Sequence, residues 1–166
     1  MSPSNNISVQ HNDFDIAVEY AALRRDSSDA GAIVTFTGLV RELTSIPTTE
    51  KTGESNVHLT AMHLEHYSGM TEKALASIVE KARRNWDIDQ VRIVHRVGKL
   101  LPHDQIVFVG VSSSHRNEAF CACEFIMDFL KTKAPFWKKE ITPEGEHWVE
   151  AKDSDDVSAQ RWKLRG

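Results

Sequence analysis

Apolar residues recur along this chain with two periods, and the change from one to the other marks out its elements. Ile16, Tyr20 and Leu23 share one side of a helix that Asp15 can cap and that runs through Arg25. Residues 71–86 repeat the helical period, with Ala74, Leu75, Ile78, Val79 and Ala82 on the apolar face. A third helix is expected inside Ser112 to Glu140, where Ala119, Cys123, Ile126 and Leu130 keep the spacing. The serines at 112–114 offer its N-cap, and Pro135 stops it.

Residues 32–40, 59–67, 91–97, 106–112 and 147–151 read as strands instead. Gly98 to Asp104 carries turn chemistry, so the strands on either side are expected to pair directly. Adjacent strands interleaved with helices predict a single-domain α+β fold with a mixed or antiparallel sheet and packed helices. The domain is drawn at 1–153, with a frayed end over 1–12 that holds one short strand around Ile7 and Val9, and a mobile loop over 42–56, where Pro47, Gly53 and many hydroxyl residues gather; 154–166 is a polar tail.

Composition narrows the classes. With 166 residues and 40% hydrophobic content the chain is large enough for a real core. No run nears the roughly 20 apolar residues of a membrane helix, so a cytoplasmic protein is expected. The net charge of −4 disfavours general nucleic-acid binding, which needs a broad basic surface. Local basicity persists at Lys131, Lys133, Lys138 and Lys139, which suits a small anionic ligand.

Cys121 and Cys123 sit two apart on a helix and point in different directions, so buried thiols are expected rather than a disulfide. His63 and His66 face opposite sides of a strand and no cysteine set has zinc spacing, so neither a metal nor a cofactor is expected.

The chemistry concentrates at the two ends of the third helix. In front, free N–H groups with His115 and Arg116 offer a site for phosphate or carboxylate. Behind, the lysines surround Ala134-Pro135-Phe136-Trp137, a setting suited to proton transfer or nucleophilic attack. Fifteen steps of about 1.5 Å put Arg116 roughly 22 Å from Lys131 on a continuous helix. One small ligand cannot readily touch both, so either the helix breaks or a second copy supplies one end; a two-fold dimer would do the latter.

Three stretches carry a resemblance: VTFTGLVR at 34–41, LEHYSGMTEKA at 64–74, and HRNEAF at 115–120 with FIMDFLKTKAPFWKKE at 125–140 and TPEGEHWVEA at 142–151. In this order they resemble the MoaE family, the catalytic subunits of molybdopterin synthase. The resemblance implies an α/β-hammerhead fold and a sulfurtransferase converting cyclic pyranopterin monophosphate to molybdopterin. It implies a homodimer within a heterotetramer, and a small ubiquitin-like partner, MoaD-like, whose C-terminal Gly-Gly thiocarboxylate supplies both sulfurs. On it Lys131 and Lys138 become the catalytic residues, and Leu39, Val40, Arg41, His115, Arg116, Lys131, Lys138, Lys139 and Glu140 the substrate-binding set. Phe36, Met127 and Lys152 would line the pocket. The competing readings are a non-catalytic docking module for a ubiquitin-like sulfur carrier and a sulfurtransferase working through Cys121 or Cys123.

Overall fold

The computed structural model describes residues 5–47, 54–149 and 153–163. Its element order is β1 (Asn5–Gln10), α1 (Ile16–Asp26), β2 (Ala32–Leu39), β3 (Leu43–Pro47), β4 (Glu54–His58), β5 (Ala61–His66), α2 (Met70–Asn85), β6 (Val91–Arg96), β7 (Gly98–Leu100), β8 (Gln105–Ser113), α3 (Arg116–Lys133), β9 (Phe136–Thr142), β10 (Gly145–Val149) and α4 (Asp153–Gln160). This is the expected mixed α+β organisation.

Two four-stranded sheets carry it. The first runs β1-β6-β8-β2, with β1 parallel to β6 and the other pairs antiparallel. The second, β10-β9-β5-β7, is antiparallel throughout, and β3 and β4 pair as a separate ribbon. Strand alternation sends Val107, Val109 and Val111 of β8 to the main core, which they share with Leu75, Ile78 and Val79 of α2 and Ala122, Ile126 and Leu130 of α3. The opposite face buries Phe108 against Phe14 and Leu23, closing α1 onto the sheet. A smaller core of Val40, Leu59, Met62, Leu64 and Leu100 lies on the second sheet.

Local chemistry explains the helix ends. The Asp15 carboxylate accepts from the Ala17 N–H at 2.8 Å, capping α1. At the start of α2 the Glu72 carboxylate accepts from the Gly69 N–H at 2.7 Å. Gly69 holds φ at +82°, which favours glycine.

The short strand expected around Ile7 and Val9 is β1, held in register against β6 from Asn5 to Gln10. Several expectations need correction. The expected loop at 42–56 is, in its described part, the ribbon β3–β4, because Thr44, Ile46 and Val57 have the β-branched shape strands favour. Residues 48–53 of that call lie outside the described residues. The serines do not cap α3. Ser112 and Ser113 are the buried end of β8, where Ser112 Oγ accepts from the Gln90 N–H at 2.9 Å and Ser113 Oγ donates to the Asp87 carbonyl at 2.6 Å; His115 is the N-cap. β6 and β8 do pair, but the turn between them also forms β7 on the other sheet.

The tail folds into α4 and docks on α3. Trp162 Nε1 donates to Asp128 Oδ2 at 2.7 Å, and its ring meets Trp86 and Phe125 edge-on at 5.3 and 5.6 Å. Arg161 adds ion pairs to Asp128 and Glu124 at 2.7 Å.

Candidate active site

The polar end of β2 is shaped by a register shift between Gly38 and Leu39. A Cβ on Gly38 would lie 2.8 Å from Val107 Cγ1, so the two strands approach here as only glycine allows. Past the shift, the Val40 N–H donates to the Asp104 carbonyl and its own carbonyl accepts from the His103 N–H, both at 2.9 Å. Val40 is thereby held in place, with its side chain buried in the smaller core. Leu39 and Arg41 on either side stay exposed. Next to Arg41, the Glu42 carboxylate lies 3.7 Å from His58 Nδ1 and 3.8 Å from His103 Nε2, a grouping the sequence did not flag.

The lysine end is built by α3 handing over to β9. Lys131 is exposed on the last turn of α3. A turn closed by the Phe136 N–H to Ala134 carbonyl bond at 2.9 Å then starts β9. Along β9, Lys138 and Glu140 fall on one face and Lys139 on the other. Lys138 lies opposite Leu64 of β5 and Glu140 opposite Met62, beside the smaller core. Glu140 is buried, and its carboxylate accepts a short bond from the Thr44 hydroxyl, with His147 Nε2 at 3.4 Å and Lys138 Nζ at 3.9 Å. It anchors Lys138 and the β3–β4 ribbon and is not presented to solvent. Lys139 instead pairs with Glu146 at 3.0 Å and covers the Trp148 ring at 5.5 Å.

His115 and Arg116 are exposed at the opposite end of α3, which is unbroken from Arg116 to Lys133. The roughly 22 Å axial separation therefore stands, and one chain does not bring them to the lysines. Phe36, 40% exposed on the edge strand β2, lies on the face that Val34 turns toward α3. Met127, one turn before Lys131, is buried in the main core. Lys152, expected to line the pocket, lies outside the described residues.

Phe136, which follows the turn between the two lysines in sequence, packs on a residue that no motif marks. His95 of β6 is 5% exposed and stacks on Phe136 with ring centroids 3.8 Å apart and planes 18° from parallel. Burial holds its imidazole well below the usual histidine range, at about 4, so the ring is neutral. Only its place in the row Val91, Ile93, His95 on the core face of β6 could have marked it. Among the described residues no group of histidine, cysteine or carboxylate side chains could hold a metal, and no helix is long and apolar enough to cross a membrane. Cys123 is buried with its thiol pushed up to about 12 by desolvation, and neither cysteine is disulfide-bonded.

The chain matches the family model described as "MoaE protein" over residues 9–133. It is 53% identical to the molybdopterin synthase catalytic subunit of Vibrio cholerae, covering 96% of this chain and 99% of that one. The same subunit of Escherichia coli K12 is 53% identical, with 90% and 92% covered. Among solved structures, the molybdopterin biosynthesis MoaE protein from Burkholderia ambifaria superposes with a TM-score of 0.78 at 50% identity, covering 96% of this chain and 99% of that one.

Proposed function

The chain belongs to the MoaE family, and from that premise we propose that it is the catalytic subunit of a molybdopterin synthase, acting in the cytoplasm with a small ubiquitin-like sulfur carrier. It converts cyclic pyranopterin monophosphate to molybdopterin. The observation that supports this reading is that one short turn joins the end of α3, which carries Lys131, to β9, which carries Lys138 with Glu140 buried beside it.

Each sulfur arrives as the thiocarboxylate of a carrier tail. Its sulfur bonds to a side-chain carbon of the pterin as a carbon–oxygen bond at that carbon breaks, the oxygen leaving on the phosphate as its ring opens or as water; a further water then cleaves the acyl–sulfur bond, leaving a thiol on the product and a carboxylate on the tail. Two such transfers build the dithiolene. The chain needs no nucleophilic cysteine for this, in keeping with the burial of Cys123. Lys131 and Lys138 act where the tail carbonyl and the pterin meet, moving protons and balancing negative charge as it develops. Arg41, His115 and Arg116 bind the phosphate and ring oxygens through charge-assisted hydrogen bonds. Because α3 is continuous, His115 and Arg116 serve the lysines of a second copy, so the site is shared across a two-fold dimer.

The test is molybdopterin formation from the pterin and thiocarboxylated carrier. Lys131→Ala and Lys138→Ala should each lower turnover by about 100-fold or more while carrier binding and dimerisation persist. Unchanged turnover would reduce both to surface charges. Mixing Lys131→Ala with Arg116→Ala chains should restore roughly a quarter of the sites, since half the dimers are mixed and each holds one intact site. No recovery would place the groups in one chain.

A further inference from the structure

The turn that joins the two lysines is gripped by residues from two elements that carry none of the proposed chemistry. From α2, the Thr71 hydroxyl donates to the Pro135 carbonyl at 3.1 Å while accepting from the Tyr67 N–H at 3.2 Å. Thr71 is fully buried, so this hydroxyl ties the start of α2 to the turn with little freedom to let go. From β6, the His95 ring lies flat under Phe136, the first residue of β9. His95 Nδ1 is 2.9 Å from the Arg96 carbonyl, which can only accept, so the neutral ring carries its proton on Nδ1 and that bond fixes the ring plane.

Packing alone does not account for this arrangement. Val91 and Ile93 fill the preceding inward positions of β6 with plain hydrocarbon, and a third aliphatic residue would avoid the cost of burying an imidazole. An aliphatic side chain would not offer a flat face at 3.8 Å, and it is the face that sets the height and tilt of Phe136.

We propose that His95 and Thr71 are positioning residues for the reaction: the imidazole under Phe136 and the hydroxyl on Pro135 set the turn that places Lys131, at the end of α3, against Lys138 on β9. The inference rests on the reading of that lysine pair as the catalytic groups. One amine rides on a helix and the other on a strand, so their separation is only as well defined as the connection between them. A displacement of about 1 Å at a reacting centre can cost on the order of 100-fold in rate. Neither residue touches substrate, and the effect belongs in kcat.

Four full-length variants test it, assayed with thiocarboxylated carrier: His95→Ala, His95→Phe, Thr71→Val and Thr71→Ser. His95→Ala and Thr71→Val should lower kcat by about 10-fold or more, with the KM for the pterin and the carrier affinity within about twofold of wild type. His95→Phe keeps a flat ring and Thr71→Ser keeps the hydroxyl, and both should recover most of the loss. The inference is overturned if folded His95→Ala and Thr71→Val turn over like wild type, or if the conservative partners lose as much as the disruptive ones. Should His95→Ala not fold, the isosteric pair Thr71→Val and Thr71→Ser decides by the same criteria. Lysine variants run alongside separate the two levels. If Lys131→Ala and Lys138→Ala retain turnover, the reading of the site has failed; if they lose it while Thr71→Val does not, only the positioning role has.

Discussion

Mild acid should destabilise this protein through a single buried ring. Desolvation lowers the His95 imidazole from 6.5 to about 4, so as the pH falls below 6.5 the unfolded chain binds a proton that the folded chain refuses. Stability is therefore lost from about pH 6.5 downward, at up to about 1.4 kcal/mol per pH unit, and the loss levels off near pH 4 once the folded ring also titrates. The whole window amounts to about 3 kcal/mol, a large part of the roughly 5–15 kcal/mol that holds a domain of this kind together. Asp13, held below the carboxylate range by its bond from Gln105, and Asp26, held there by Arg25, titrate below 3.8 and so act after this window. Urea unfolding of wild type and His95→Phe at several pH values isolates the ring, because every other group is common to both. The stability difference should shift in favour of His95→Phe by about 1.4 kcal/mol for each pH unit lost between 6.5 and 4. A constant offset across that range would mean that His95 accepts a proton in the folded state, and the burial argument would be wrong.

Two further outcomes follow from the helix packing. Trp162→Ala removes two edge-on ring contacts and the indole bond to Asp128, and should cost about 2–4 kcal/mol in urea unfolding, whereas Arg161→Ala removes half-exposed ion pairs and a guanidinium over the Trp162 ring, and should cost about 1 kcal/mol. Equal effects would show that the charges, not the rings, hold α4 in place. With its thiol buried and pushed up to about 12, Cys123 should resist iodoacetamide at mildly alkaline pH in the native protein and react only once urea is added, while half-buried Cys121 labels first; equal labelling rates would refute the assignment of Cys123 to a closed core.

The helices were legible because their signals are local. Asp15 caps α1 as its position predicts, and the apolar face of α2 at Leu75, Ile78, Val79 and Ala82 is buried. Of the strands that were missed, β9 depends on a partner far along the chain. In β9 the run Trp137-Lys138-Lys139-Glu140 hides its alternation, because both faces of the strand carry charge, and pairing with β5 and β10 fixes it. Ser112 and Ser113 look like caps locally, yet Gln90 and Asp87 engage their hydroxyls from across the fold. Of the candidate site, Lys131 and Arg41 stand out in the sequence through their motifs and Lys139 through adjacency to Lys138, although the pleat turns it to the other face of β9. His95 and Thr71 had no signal of their own, since their meaning lies in contact with Phe136 and Pro135.

The parallel pairing of β1 with β6 bears on how the protein is made. Asn5 to Gln10 leave the ribosome well before the strand they join, Val91 to Arg96, and β8 and α3, which complete the main core, follow later still. A nascent chain arrested before β8 carries an unpaired first strand and an uncovered α2 face, both of which favour aggregation. Folding is thus deferred until most of the chain has been synthesised, and contacts this distant in sequence make the domain slow to assemble. In a cell the burden falls on the interval before release, when chaperone binding to the waiting N-terminal half governs how much of the chain reaches the folded state.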